Sequence, residues 1–281
     1  MSVTCDCVPS PRNYGYGNCD IDENKDMRTS IPSQYYKGDT TIDYFDLPVC
    51  QSIGSYAFQN SSIKQILLPE CKVLEQGAFD STHNWSSDGI NDFSKVKIIK
   101  EDAFCDVWPS VTSSNVMIDI SGVVTIEEDA FWESLNITYG TEARKLILPN
   151  CETIGRHSFG TTLSNYSQKF DYISLPAIKS IGEQAFRRCT ISDGFEFHIG
   201  PYCTFLNGSL GGFMYDFYHP NSYTWYFYIE ATTPPVLSGN TPRISESRKP
   251  TKIYVPAQSV STYQNNSNWS FYADVIEAMP T

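Results

Sequence analysis

Residues 145–159 read KLILPNCETIGRHSF, and residues 172–186 read YISLPAIKSIGEQAF. An apolar alternation, a Pro, an Ile-Gly pair, then a small residue and Phe occur twice in the same order. An order kept over fifteen positions is a structural repeat, and a repeat sets the architecture before any other feature does. Anchoring each copy on its Phe gives Phe58, Phe79, Phe104, Phe131, Phe159 and Phe186, spaced by 21, 25, 27, 28 and 27 residues. The position before the anchor is always small: Ala57, Ala78, Ala103, Ala130, Ser158 and Ala185. Five before it stand Ile53, Leu74, Ile99, Ile126, Ile154 and Ile181.

Two further columns lie upstream. Eleven residues before the anchor come Leu47, Leu68, Phe93, Ile120, Leu148 and Leu175, and two earlier Phe45, Ile66, Asn91, Ile118, Leu146 and Ile173. This is the period-2 signature of a short strand with one face buried, broken only at Asn91. One such unit cannot bury its own apolar face. Copies stacked at the strand spacing share one core, so the expected fold is a mainly β repeat solenoid with short helical turns. A degenerate seventh copy is read at FHIGPYCTFLNGSL, with Ile199, Phe205 and Ser209 in the columns and Leu210 replacing Phe. The segment 252–280 is expected to close the array. Ile253 and Val255 would point one way, and a helix near Ser259 would lay Val260, Tyr263 and Trp269 over the apolar end.

The LPxCxxIGxxAF unit followed by Cys, as in AFRRC at 185–189, together with the tail YIEATTPPVLSGN and KIYVPAQSVSTYQNNSNWSFYADVIEAMP, resembles the BspA-like leucine-rich repeat class. That class is found in surface proteins of gut and oral anaerobic bacteria. The resemblance covers residues 42–281. It implies an irregular leucine-rich-repeat horseshoe or flattened, right-handed solenoid used for adhesion or ligand binding, with no shared catalytic residues. The organisation read here is an N-terminal cap or unassigned segment over 1–41, a repeat array of about seven copies over 42–228 and a C-terminal capping segment over 229–281. The third and fourth copies depart from the pattern, lacking both the Pro and the Gly.

Composition narrows the function. Lys and Arg number 20 against 32 acidic residues, a net charge of -12, which argues against nucleic-acid binding. No run of apolar residues is long enough to span a membrane. The start MSVTCDCVPSPRNYGYGNC lacks the pattern of a secretory leader. The expected location is extracellular or at the cell surface, with a virion-associated or cytoplasmic chain as the alternative.

Nine cysteines are present. Cys50, Cys71 and Cys151 alternate with Val96, Val123 and Ile178 eight residues before the anchor, so they read as small buried hydrophobes. Cys105 and Cys189 fall in repeat turns. Cys5, Cys7 and Cys19 are open to a disulfide cap, free thiols or a metal site. The run DIDENKD at 20–26 has the alternate spacing of a calcium loop, but Lys25 and Ile31 stand where such a loop needs Gly and a bidentate Glu, so it reads as a solvated turn. The four histidines form no known catalytic pattern. His157 shares its column with Tyr56, Gly77, Asp102, Asp129 and Gln184, which reads as a tolerant turn position. No enzyme and no cofactor are expected.

Function then belongs to the outward strand positions. From these columns Tyr44, Asp46, Asp92, Met117, Asp119, Lys145 and Tyr172 are the candidate binding residues, facing a protein or glycan partner. A second candidate is the aromatic segment YDFYHPNSYTWYFY at 215–228, half of it expected in the core and the rest available to stack on sugars. The reading is a non-enzymatic adhesion module for a host protein, another cell or a glycan. The alternative is a structural or receptor-binding component of a larger assembly such as a phage virion.

Overall fold

A computed structural model of the chain describes residues 26–86, 90–108, 116–134, 137–139, 144–162, 168–207, 214, 223–238, 243–244 and 249–280. Cys5, Cys7, Cys19 and residues 20–25 of the acidic run lie outside these. Strand β1 (Ser30–Ile31) comes first. Each following coil adds a longer strand and a two-residue one: β2 (Tyr44–Asp46) with β3 (Ser52–Ile53), β4 (Gln65–Leu67) with β5 (Val73–Leu74), β6 (Ile90–Asp92) with β7 (Ile98–Ile99), and β8 (Val116–Asp119) with β9 (Thr125–Ile126). An additional strand, β10 (Ile137–Tyr139), precedes β11 (Lys145–Ile147) and β12 (Thr153–Ile154). Then come β13 (Lys169–Leu175) with β14 (Ser180–Ile181), β15 (Thr190–Ile199) with β16 (Phe205–Asn207), and β17 (Trp225–Ile229) with β18 (Val236–Ser238). The last elements are β19 (Lys252–Val255), helix α1 (Val260–Asn265) and β20 (Ile276–Ala278).

Every pairing is parallel, and the chain is a solenoid. The short strands make one nine-stranded ladder, β1-β3-β5-β7-β9-β12-β14-β16-β18. The longer strands form the facing ladder in three pieces: β2-β4, β6-β8-β10 and β11-β13-β15-β17-β19-β20. The columns read from the sequence point inward as expected, with Ile53, Leu74, Ile99, Ile126 and Ile181 fully buried and in direct register or one coil apart.

The turn explains why the anchor is Phe and its neighbour small. The anchor rings stack face to face through six copies. Centroids are 5.3 Å apart for Phe58–Phe79, 5.2 Å for Phe79–Phe104, 5.0 Å for Phe104–Phe131, and 5.3 Å for both Phe131–Phe159 and Phe159–Phe186. From Phe58 to Phe159 each anchor N–H donates to the carbonyl of the small residue in the next coil, as from Phe58 to Ala78 at 2.8 Å and from Phe131 to Ser158 at 2.8 Å. Where Ser158 replaces Ala, its buried hydroxyl donates to the Gly155 and Glu127 carbonyls, both at 2.9 Å, so the polar group is satisfied.

The ladder begins before the first Phe. Ile31 occupies the Ile column opposite Ile53, and Tyr36 stacks on Phe58 at 5.1 Å. The Tyr36 hydroxyl donates to Asp26, and Asp26 is 4 % exposed, so this last member of the acidic run is a buried acceptor and not a solvated turn residue.

The seventh copy carries a correction. Leu206, not Phe205, pairs with Ile181, while Ile199 still pairs with Leu175. Gly200 is the extra residue. Its Cβ position lies 1.8 Å from the Pro176 carbonyl oxygen, so no side chain fits there. The one-residue slip turns Phe205 outward, 37 % exposed, and buries Leu206. It also brings Cys203 into the buried thiol column with Cys50, Cys71 and Cys151. Burial pushes the Cys71, Cys151 and Cys203 thiols up to about 12.

At the far end, Ile253 and Val255 are buried, and so are Tyr263 and Trp269 on and after α1, with Val260 partly buried against the core. Trp269 Nε1 donates to the Pro235 carbonyl and the Tyr263 hydroxyl to that of Ala231, both at 2.8 Å. The segment is tied to the coil before it. The sequence reading missed β20, which pairs with β19 as a further strand.

Asn91, the one polar member of an inward column, sits at a break in the ladder. It is 1 % exposed. Its Oδ1 accepts the Ile66 N–H at 3.1 Å and its Nδ2 donates to the Met117 carbonyl at 3.3 Å. The side-chain amide thus supplies a bond to β4 where β4 and β6 do not pair.

Two stability outcomes follow. Phe131→Ala empties one place in a continuous ring stack and should cost about 3–5 kcal/mol in urea denaturation; a midpoint unchanged from wild type contradicts the stack. Asn91→Leu restores the apolar column yet leaves the Ile66 N–H buried without a partner, so it should destabilise by about 1–3 kcal/mol. A gain in stability would show that the amide is not bridging the ladder.

Candidate binding face

The long strands bury alternate residues, so the residues between them form two outward columns. The first runs Tyr44, Gln65 in one ladder piece and Lys145, Tyr172, Glu196, Tyr226, Lys252 in another. The second runs Asp46, Leu67 and then Ile147, Ser174, His198, Tyr228, Tyr254, Glu277. Between these pieces, Asp92 lies opposite Asp119 on β6 and β8, and Met117 beside them. All seven sequence-derived candidates are on this face. The structure does not gather them: Tyr44 and Asp46 share one ladder piece, Asp92, Met117 and Asp119 the second, and Lys145 and Tyr172 the third.

What the third piece adds is a continuous aromatic row. Tyr172 lies 5.0 Å from His198, His198 stacks on Tyr228 at 4.1 Å with an interplanar angle of 3°, and Tyr228 lies 4.9 Å from Tyr254. Tyr226 joins from the side, 6.2 Å from Tyr254 and nearly parallel to it. His198 Nε2 is 2.9 Å from Glu196 Oε2, and Lys252 pairs with Glu277. Burial against its neighbours, then the Glu196 carboxylate, raises Tyr228 above the usual phenol range. Each of these side chains is half-buried except that of Glu277, which is exposed. Trp225 and Phe227, which alternate with Tyr226 and Tyr228, are in the core. The part of the aromatic segment from 225 to 228 therefore divides between core and surface as its alternation implies; residues 215–222 lie outside the described residues.

Sequence columns anchored on Phe stop at Phe186, so they reach Tyr172 and no further. Glu196, His198 and Tyr254 were missed for that reason, whereas Tyr226 and Tyr228 belong to the aromatic segment 215–228 named as the second candidate. The signal was present in the period-2 runs FEFHI, WYFYI and KIYV, whose outward members are these residues.

A second group of titratable residues lies on the turn edge. Gln34, Tyr56, Gly77, Asp102, Asp129, His157 and Gln184 all have φ between 52° and 60°. The column read as tolerant is thus confined to the left-handed region, which favours Gly, Asn and Asp. His157 has both ring nitrogens engaged, Nδ1 at 3.3 Å from Asp129 Oδ1 and Nε2 at 3.1 Å from Gln184 Oε1. Burial, then Asp129, Glu101, Asp80 and Glu128 in that order, pushes Asp102 up to about 6. His83 Nε2 is 3.1 Å from Asp106 and packs beside Trp108. These contacts run along the edge from coil to coil.

With the geometry in place, comparison with known proteins identifies the repeat. The family model described as BspA type Leucine rich repeat region matches in six copies, over residues 14–138 and 136–199. No curated protein matches the chain. Among the described residues no helix is long and apolar enough to cross a membrane.

The edge has a pH consequence. A carboxyl held near 6 binds its proton more tightly in the folded chain than in the unfolded one, where the usual value is about 3.9. Its contribution is most favourable below about pH 4 and is lost as pH rises through 6. Asp102→Asn removes the charge and suits the left-handed backbone. It should stabilise the protein by about 1 kcal/mol at pH 7.5, after allowance for solvent screening, and by little at pH 4. Urea midpoints of wild type and variant that differ equally at both pH values would refute the assignment.

Proposed function

The chain belongs to the BspA-type leucine-rich repeat family, and on that premise we propose that it is a non-enzymatic recognition module of the adhesion type, acting at a cell surface or outside the cell, whose long-strand face contacts a host protein, another cell or a glycan. The observation that carries the reading is the row Tyr172, His198, Tyr228 and Tyr254. The core needs none of these rings, since the buried positions of the same strands are already filled by Phe197, Phe227 and Ile253. Tyr and His prepacked against one another lose little side-chain entropy when a partner arrives, which favours binding. Lys145 and Tyr172 of the sequence-derived set belong to this contact; Tyr44, Asp46, Asp92, Met117 and Asp119 extend it along the same face.

Binding of the purified chain to arrays of immobilised glycans and extracellular-matrix proteins tests this. Wild type should bind at least one array member, and His198→Ala or Tyr228→Ala should weaken that binding about tenfold or more. Val236→Ser, on the exposed side of the opposite ladder, should leave it intact. An array with no member bound, or binding that both panel variants keep in full, rejects the reading.

A further inference from the structure

The rings of the aromatic row pack against one another. His198 and Tyr228 are parallel at 4.1 Å and lie one strand apart, so each covers the other's face, and Tyr172 and Tyr254 close on the pair at 5.0 and 4.9 Å. A ring face offers an apolar, electron-rich surface, whereas a ring edge carries partial positive charge. With the faces of His198 and Tyr228 turned to each other and the flanking rings tilted against them, what the row chiefly offers a ligand is ring edges, phenol hydroxyls, the imidazole edge and the Glu196 carboxylate. Ring edges and hydroxyls suit an apolar anchor from a protein partner poorly, and such anchors carry most of the energy in protein interfaces. A ligand rich in hydroxyl oxygens finds complementary groups: positive edges and phenol donors for its lone pairs, and a carboxylate acceptor for its O–H groups.

Two more observations narrow the ligand. The chain carries a net charge of -12, yet here Lys252 pairs with Glu277 and the His198 imidazole lies 2.9 Å from the Glu196 carboxylate, an acceptor that an uncharged hydroxyl-bearing molecule meets without the repulsion an anionic one would. The polar tips also recur along the solenoid axis on β13, β15, β17 and β19, one per strand, at the strand spacing of about 4.8 Å. A rod with its own regular repeat fits such a row better than a compact molecule does. We propose, resting on the binding-face reading above, that the row Tyr172–His198–Tyr228–Tyr254 with Glu196 is a site for an extended, uncharged polysaccharide lying along the solenoid axis.

Native affinity electrophoresis of the full chain through gels containing xylan, mixed-linkage β-glucan or galactomannan, with starch as a coiled-polymer comparison, tests the proposal. One or more of the three extended polymers should retard the chain more than starch does. Calorimetry with oligosaccharides of the retarding polymer should show affinity rising from the disaccharide to the tetrasaccharide and then levelling, because the row spans four strands. Glu196→Gln and Tyr228→Phe should each weaken binding about tenfold. Tyr228→Phe keeps the ring stack and removes only the hydroxyl, so its effect does not depend on disrupted folding. Absence of retardation by all three extended polymers overturns the proposal, as does retardation that Glu196→Gln and Tyr228→Phe leave unchanged. If the row's variants abolish binding to a matrix protein on the array while no polysaccharide is bound, the glycan assignment falls and the binding face stands. If binding of every kind survives them, both fall.

Discussion

Each coil of this chain must advance by the same distance in three places at once: at the two strand ladders and at the turn. Parallel strands set that distance at about 4.8 Å. The turn meets it with stacked rings whose centroids are 5.0 to 5.3 Å apart, and with anchor N–H groups bonded to the next coil's carbonyls at 2.7 or 2.8 Å. A bulkier residue beside the anchor would hold the turns apart while the strands stayed close, so in the coils anchored by Phe58 to Phe186 the neighbour is Ala or Ser. A left-handed residue two places before the anchor, and in most coils another two places after it, keeps the turn's N–H groups aimed alternately at its own carbonyls and at the next coil.

This shared translation also governs the surface. An aromatic residue that recurs at one outward position in successive strands meets its counterpart at the ladder distance, whatever its role. The spacing that stacks Phe104 on Phe131 inside stacks His198 on Tyr228 outside. The outer row is thus rigid by inheritance from the coil repeat.

The strength of that constraint decides what was legible in the sequence. Where Phe, a small residue and Ile recur together, the columns fall in register and their burial follows directly. The coil containing Tyr36 escaped because Tyr replaces Phe and Tyr35 stands in the small-residue place, although Ile31 and the positive φ at Gln34 and Gly38 fit the repeat. The seventh copy slipped because one inserted glycine is invisible to a column count that ends in a degenerate anchor. The left-handed turn position escaped for a different reason. Tyr, Asp, His and Gln share no side-chain property there, and what they share is a backbone angle, which sequence reports only weakly for residues other than Gly and Asn. Asn91 was visible as an exception, but its role depends on where the ladder breaks, and no local pattern marks that point.

The candidate face was half legible for the same physical reason. Up to Phe186 the turn stack carries most of the aromatic core, and the inward positions of the long strands are mainly aliphatic, with Phe45, Phe93 and Phe170 the exceptions. Beyond it the face-to-face stack ends: Phe186 meets Phe197 edge-on at 5.5 Å, and the aromatic core moves into the long strands as Phe195, Phe197, Trp225 and Phe227. Of the strands that are aromatic on the inside, β15 spans ten residues and β17 five, and their outward positions hold large side chains side by side. The transfer of the core from turn to strand therefore removes the anchor by which sequence columns are drawn, at the same coils where the outward tyrosines and His198 assemble. The region hardest to read by repeat is the one whose surface is most distinctive, because both properties arise from the same change in where the rings pack.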